Sequence, residues 1–343
     1  MKKYRVLVLL HKDLVPPRTI HGMPDDEINR APWKTEFDVV ATLREAGHDV
    51  EVLGVVGDLG AIRGALQSYE PDVAFNLLEE FDGVATYDQH IVSYLELMKQ
   101  QYTGCNPRGL MLARDKALSK KLLTYHRIHV PAFTVFPMGR VIKRPKKLHL
   151  PLFVKSVTEE ASRGIAQASL VRDDEKLEER VRFVHENVGT DAIAEEYIEG
   201  RELYLGVMGN QRLTTFPVWE MHFTKMPPDM PRIATGKVKW DVEYQKRWGI
   251  ETHAAKDLPE GVESRIHRIC KRAYRILGLS GYARLDLRMR EDGRVYVIEA
   301  NPNPQIGYGE DFAESAEVGG IPYDVLLGRI MNLGIRYRAE WKV

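Results

Sequence analysis

The chain has 343 residues, 44% of them apolar, with 49 Lys+Arg balanced by 49 Asp+Glu. That length exceeds one small core and fits two or three packed subdomains. Balanced charge without a long like-charge block excludes a nucleic-acid groove or a membrane surface as partner; no apolar stretch approaches the ~20 residues of a membrane span; and two cysteines, Cys105 and Cys270, make neither a disulfide framework nor a CxxC metal site. A globular, cytoplasmic protein with small-molecule partners is the expectation.

The opening predicts strand, long loop, helix, strand. Arg5 to Leu10 is an apolar strand, Pro16, Pro17, Pro24 and Pro32 punctuate a loop, and Glu36 to Ala46 is a helix that Gly47 ends with a left-handed cap. His48 to Leu53 resumes as a strand, Asp72 to Asn76 is the next, and Ile91 to Met98 is a helix, so residues 1–110 form an open α/β subdomain. A second unit, 111–191, begins near Asp115-Lys116 with a helix from Ala117 to Tyr125. Strands follow at Phe133 to Phe136 and Leu152 to Lys155, then a small-residue loop from Thr158 to Gly164 and a charged helix from Asp174 to Glu186, the make-up of a compact lid. Residues 192–343 alternate strands with Gly and Pro punctuation around one long helix, Val262 to Leu277. No internal repeat or low-complexity tract occurs.

The most informative segment is Gly281 to Pro304. Arg284, Asp286 and Arg288 alternate with apolar residues, as do Glu299 and Asn301, and Asp292-Gly293 between the two runs is a hairpin signal. With those two as the turn, Glu291 faces Arg294, Asp286 faces Glu299 and Arg284 faces Asn301. Facing carboxylates repel by a few tenths of a kcal/mol to ~1 kcal/mol, and a hard divalent cation held by the two acids and the asparagine amide resolves the repulsion. The alternative is a solvated hairpin face neutralised by Arg284 and Arg288.

No GxxxxGK[ST] loop and no GxGxxG turn is present, so neither common phosphate cradle is available. Candidate phosphate ligands are Lys116, Lys155 and the loop Glu159 to Gly164, whose backbone N–H groups could approach phosphate oxygens. In Ala194 to Glu202 the acids could accept from an adenine amino group or ribose hydroxyls, or could be plain surface charge.

Taken in order, these segments resemble the ATP-grasp superfamily, in its D-alanine:D-alanine ligase-like branch. Phe75-Asn76, Leu95-Glu96-Leu97, Tyr102-Thr103-Gly104, Asp115-Lys116, Pro151 to Lys155, Ser162 with Gly164, Glu195 to Glu202, Arg284-Leu285-Asp286 and Glu299-Ala300-Asn301-Pro302 follow that family's order. The resemblance implies a mixed α/β and α+β ATP-grasp fold: an N-terminal open α/β subdomain (1–110), a central lid (111–191) and a C-terminal antiparallel-sheet subdomain (192–343). It implies an ATP-dependent carboxylate–amine ligase that passes through an acyl phosphate, with ATP and Mg²⁺, or Mn²⁺, as cofactors, and it leaves room for a homodimer. By resemblance, Lys116 and Lys155 bind phosphates and the Ser162 loop closes over them. Glu195, the backbone of Glu196 and Ile198, and Glu202 hold adenine and ribose; Lys239 is a further phosphate lysine; Asp286, Glu299 and Asn301 ligate the metal; Arg284 faces the reacting carbonyl and phosphoryl group. Glu36, in Thr35-Glu36-Phe37-Asp38-Val39, resembles the family glutamate that grips the donor ammonium.

The substrate half departs from the family. Glu79 stands where a histidine is usual, Gln305 where a glycine is expected, and Gly309-Glu310-Asp311 replaces the contact to the acceptor carboxylate. Glu160, Ala161 and Arg163 alter the glycine-rich loop. The expectation is an amino-acid-like substrate other than D-alanine. Competing readings are that Glu310 and Asp311 merely start a helix and that Glu79 pairs with Arg108. A non-catalytic nucleotide-binding module is the rival function; a dinucleotide-dependent dehydrogenase lacks its glycine fingerprint near Leu10 to Leu14.

Overall fold

The structure, a computed structural model, describes residues 2–17, 20, 22–159, 164–227, 230–339 and 342, with the backbone alone for Asp25, Asp26 and Trp240. Its first sheet is parallel. Strand β1 (Arg5–His11) lies between β2 (Asp49–Val55) and β3 (Val73–Asn76). Because side chains alternate across a strand, Leu7 and Leu9 enter one apolar core with the helix Asp88–Leu97, while Val6, Val8 and Leu10 enter another with the helix Lys34–Glu45. The second core also takes Leu326, Leu327, Ile330 and Met331 from the helix Tyr323–Arg336, so the two ends of the chain share one interior.

The second sheet is antiparallel, in the order β4 (Phe133–Phe136), β7 (Ala192–Glu196), β5 (Leu152–Ser156), β6 (Leu170–Val171). Strand β7 is hydrogen-bonded into this sheet and not into the one that follows. Leu177 and Val181 of the helix Asp174–Phe183 pack beneath it. The sequence extends that helix to Glu186, but residues Val184–Val188 form a wider π turn that Gly189 closes in the left-handed region, at φ 78°.

The third sheet runs β11 (Ile250–Ala254), β10 (Trp219–Phe223), β8 (Arg201–Met208), β12 (Tyr282–Met289), β13 (Val295–Pro302), with β9 (Thr214–Thr215) beside β8. Three long or mid-length helices accompany it, Val262–Ile276, Asp311–Val318 and Tyr323–Arg336; the sequence indicates the first and a short form of the second, Phe312 to Ala316, but not the third. The helix Leu59–Tyr69 was also missed, because Gly60 and Gly64 dilute its pattern.

The β12–β13 hairpin has the expected pairs, Asp286 opposite Glu299 and Arg284 opposite Asn301. Its turn is not the expected one. Arg290 N–H bonds to Arg294 O at 3.0 Å and Gly293 has φ 76°, so the loop is Glu291-Asp292-Gly293, three residues with a left-handed glycine. The register would therefore be one residue off at the acids. A bulge between Asp286 and Leu287, which leaves Ile298 unpaired, restores it.

Candidate functional site

Between the second and third sheets lies a cleft of about 710 Å³, counting its open mouth, lined by Lys155, Glu195, Glu196, Ile198, Glu202, Lys239, Asp286, Arg288 and Glu299 together with apolar Phe153, Ile165, Ile233 and Leu287. Every expected nucleotide residue but two is in that lining. Lys116 reaches it through an ion pair to Glu299, and Ser162 lies outside the described residues. The strands explain the convergence: β5 delivers Lys155, β7 delivers Glu195 and β12 and β13 deliver the hairpin acids.

Charges of both signs crowd the cleft: Lys155, Lys239 and Arg288 in its lining, with Lys116, Lys120 and Arg284 beside it, stand against the carboxylates Glu195, Glu196, Glu202, Asp286 and Glu299. Lys155 Nζ is 3.3 Å from Glu195 and 4.0 Å from Glu299, and Lys120 Nζ is 3.4 Å from Glu195. Burial, with Lys155 adding to it, outweighs Glu195 and lowers the Lys120 ammonium to about 8. Lys120 also donates to the carbonyl of Ile298, the bulge residue. Sequence reading missed Lys120, although it sits four residues after Lys116 and so on the same helix face.

At the Glu196–Glu202 end of the cleft, Arg288 bonds Glu202 Oε2 at 2.6 Å and the Tyr204 hydroxyl donates to Glu202 Oε1 at 2.9 Å. Arg290 bonds Glu196 at 2.7 Å. Glu196 N–H is taken by Ala132 O at 2.7 Å, whereas the N–H of buried Ile198 has no partner among the described residues. Arg288, Tyr204 and Arg290 fix the expected acids, and only Arg288 was singled out beforehand, as a neutraliser.

The facing acids do not meet as bare charges. Arg284 grips Asp286 through two bonds, 2.8 and 3.1 Å, with its guanidinium 4.8 Å above the Tyr204 ring. Lys116 Nζ is 2.9 Å from Glu299 Oε1. Burial raises the Glu299 carboxyl, but Lys116 and Lys155 outweigh burial and hold it well below the usual range. The Asn301 amide nitrogen is buried and unpartnered. No three His, Cys, Asp or Glu side chains cluster as a metal cage among the described residues. Two carboxylates with an amide fit Mg²⁺, which takes one or two protein carboxylates and completes its shell with phosphate and water oxygens.

The expected substrate residues gather elsewhere, where the helix Lys34–Glu45 meets the loop 303–310. Lys34 Nζ bridges Asp38 at 2.6 Å and Tyr308 O at 2.5 Å, and Tyr308 N–H donates to Asp38 at 2.9 Å. Thr35 packs so closely on Gly307 that a Cβ there would sit 2.7 Å from its hydroxyl. Glu36 is 6% exposed, its Oε2 has no partner, and burial, then Glu79 and Asp38, push it up to about 7. Glu79, in the loop after β3, is exposed to solvent, although protein atoms surround its carboxyl. Its carboxyl is raised by burial and by Asp88 and Glu80 against the pull of Arg114. Among the described residues it forms no ion pair, so the Arg108 pairing is not present. Glu310 is raised by burial and Asp311, while Lys34 and Arg284 oppose this. Asp311 opens its helix as the bland reading had it, and accepts from Trp219 at 3.2 Å and Thr252 at 2.5 Å. Gln305 lies half-buried in the same loop. Arg284, felt by Glu310 and bonded to Asp286, stands between the two regions.

The family described as D-ala D-ala ligase C-terminus matches residues 123–332. An uncharacterized protein of Sinorhizobium fredii is 28% identical over 89% of each chain, and a D-alanine–D-alanine ligase of Nitratidesulfovibrio vulgaris is 29% identical over 88% of this chain and 95% of its own length. In three dimensions, the D-alanine–D-alanine ligase of Bacillus anthracis complexed with ATP superposes with a TM-score of 0.74 over 97% of this chain and 98% of that one, at 20% identity. The chain therefore belongs to the D-ala D-ala ligase family of ATP-grasp ligases.

Proposed function

We propose that the chain joins a carboxylate to an amine with ATP, through an acyl phosphate, on amino-acid-like substrates other than D-alanine, with working subdomains built around its three sheets, the boundary expected at 191/192 moving past β7 to about residue 197. The observation that carries this reading is the ladder of Arg284, Asp286, Glu299 and Asn301 beside buried Lys116 and Lys155. In this reading ATP lies in the cleft between the second and third sheets, its adenine edge against Glu195, Glu196 and the free Ile198 N–H, its ribose at Glu202, and its phosphates at Lys116, Lys155, Lys239 and the Ser162 loop. Asp286, Glu299 and Asn301 hold Mg²⁺, which neutralises phosphate charge when bound.

The chemistry asks for positioning and positive charge more than for a base. A carboxylate oxygen attacks the γ-phosphorus as the bond to ADP breaks. The amine then attacks the acyl carbon, and phosphate leaves through a tetrahedral oxyanion that Arg284 stabilises. Arg284 is charged throughout, because Asp286 and Tyr204 outweigh the cost of its burial. Nucleotide product analysis tests the scheme: ADP and phosphate are expected, and AMP with pyrophosphate would refute it.

A further inference from the structure

The acids at the junction of the Lys34–Glu45 helix and β3 exceed what a simple amino acid requires. Glu36 is more than nine-tenths buried, with Oε2 unpartnered, and Glu79 is near enough to repel it. The nearest lysine on that helix, Lys34, is committed to Asp38 and to the Tyr308 carbonyl. Arg114, which Glu79 feels, is bonded to Asp88. A buried carboxylate without a cation, as at Glu36, is costly, and the charge of solvent-exposed Glu79 beside it adds repulsion, unless a ligand supplies the missing positive charge. One ammonium could satisfy Glu36 but would leave Glu79 facing the rest of the donor. A donor with an anionic or apolar side chain would meet an unpaired carboxylate there.

Resting on the ligase reading above, we propose that the carboxylate substrate is a diamino acid, with one ammonium at Glu36, the second at Glu79 and its carboxylate turned toward Arg284. Glu79 is then the residue that sets donor specificity. The shifts agree with this: burial and neighbouring acids raise both carboxyls, Glu36 to about 7, and a bound cation would favour their charged forms.

Hydroxylamine isolates the donor side, because it traps an acyl phosphate as a hydroxamate whatever the natural amine. Wild-type protein with ATP and Mg²⁺ is assayed with both enantiomers of alanine, 2,3-diaminopropionate, 2,4-diaminobutyrate, ornithine and lysine. The expected result is a kcat/KM at least about 10-fold higher for one diamino acid than for alanine, and a loss of about 10- to 100-fold for that substrate in Glu79→Gln, the worth of one charge-assisted bond. The KM for ATP should stay within about two-fold, which a general structural defect would not allow. Alanine equal to every diamino acid, or Glu79→Gln without effect on them, overturns the proposal while leaving the ligase intact. If no carboxylate yields ADP or hydroxamate, the ligase reading fails. Calorimetric titration of the same diamino acids in ADP and Mg²⁺ then decides the inference separately: about 10-fold weaker binding to Glu79→Gln supports it, and equal binding refutes it.

Discussion

Lys116 Nζ sits 2.9 Å from Glu299 Oε1, and this contact ties the helix Lys116–Tyr125 to the hairpin that carries the acids. Because the lysine is 3% exposed, the pair is largely out of water, and removal of one partner leaves the other charge stranded. Glu299→Gln should therefore destabilise the ligand-free protein by about 2–4 kcal/mol, as Lys116 and Lys155 lose their anion. Urea denaturation without divalent cations measures it. A neutral or stabilising result would mean that repulsion from Asp286 governs the site instead.

That sign is the reverse of what the sequence suggests, and the reason is physical. Alternation along a strand is visible in one chain segment, so the Asp286–Glu299 pairing could be counted, yet the count came out correct only because a longer turn and the Ile298 bulge offset each other. Neither irregularity has a sequence signature beyond Gly293. The lysines that neutralise Glu299 come from other elements, and tertiary approach has no period to read. Lys116 and Lys155 were legible by resemblance; Lys120 and Tyr204, which hold Glu195 and Glu202, were not, being an ordinary helix lysine and an ordinary strand tyrosine. Glu36 was legible by resemblance and Glu79 as a departure, but the unpartnered oxygen of Glu36 needed the fold.

Gly281 precedes β12 at φ 70°, and a Cβ there would lie 2.4 Å from the Gly104 carbonyl oxygen. A backbone oxygen cannot swing aside as a side chain can. Gly281→Ala should cost about 3 kcal/mol or more, whereas Gly261→Ala, at φ 71° in open space, should cost only the ~1 kcal/mol of left-handed strain. Paired denaturation curves check this; equal losses would show that conformation and not contact sets the penalty.

Lys34 holds the 303–310 loop by bridging Asp38 and the Tyr308 carbonyl. In Lys34→Ala the loop loses a charge-assisted bond worth about 1.5–3 kcal/mol, but most of the Gly307–Thr35 packing remains. We expect a KM for the carboxylate or amine substrate raised by about 3- to 30-fold, with the KM for ATP little changed, since the cleft proposed for the nucleotide lies elsewhere. Steady-state kinetics with each substrate varied in turn separates the two. An equal rise for ATP would place the loop in nucleotide binding.

Glu36 makes stability depend on pH in a direction unusual for a carboxylate. Its folded value is pushed up to about 7 from an ordinary 4.5 by burial and by the neighbouring Glu79 and Asp38. Below pH 4.5 the group is protonated in both states and contributes nothing. Between the two values the unfolded chain has released its proton while the folded chain retains it, so stability falls as pH rises, by up to about 3 kcal/mol once the folded group has ionised. Glutamine cannot ionise. The stability of Glu36→Gln relative to wild type should therefore grow by up to about 3 kcal/mol between pH 4.5 and pH 8, whatever its absolute value at either end. Urea titrations of both proteins at a series of pH values measure that difference. Parallel curves would show that the carboxyl already ionises in its ordinary range, and that a cation within the fold, not a ligand, satisfies it.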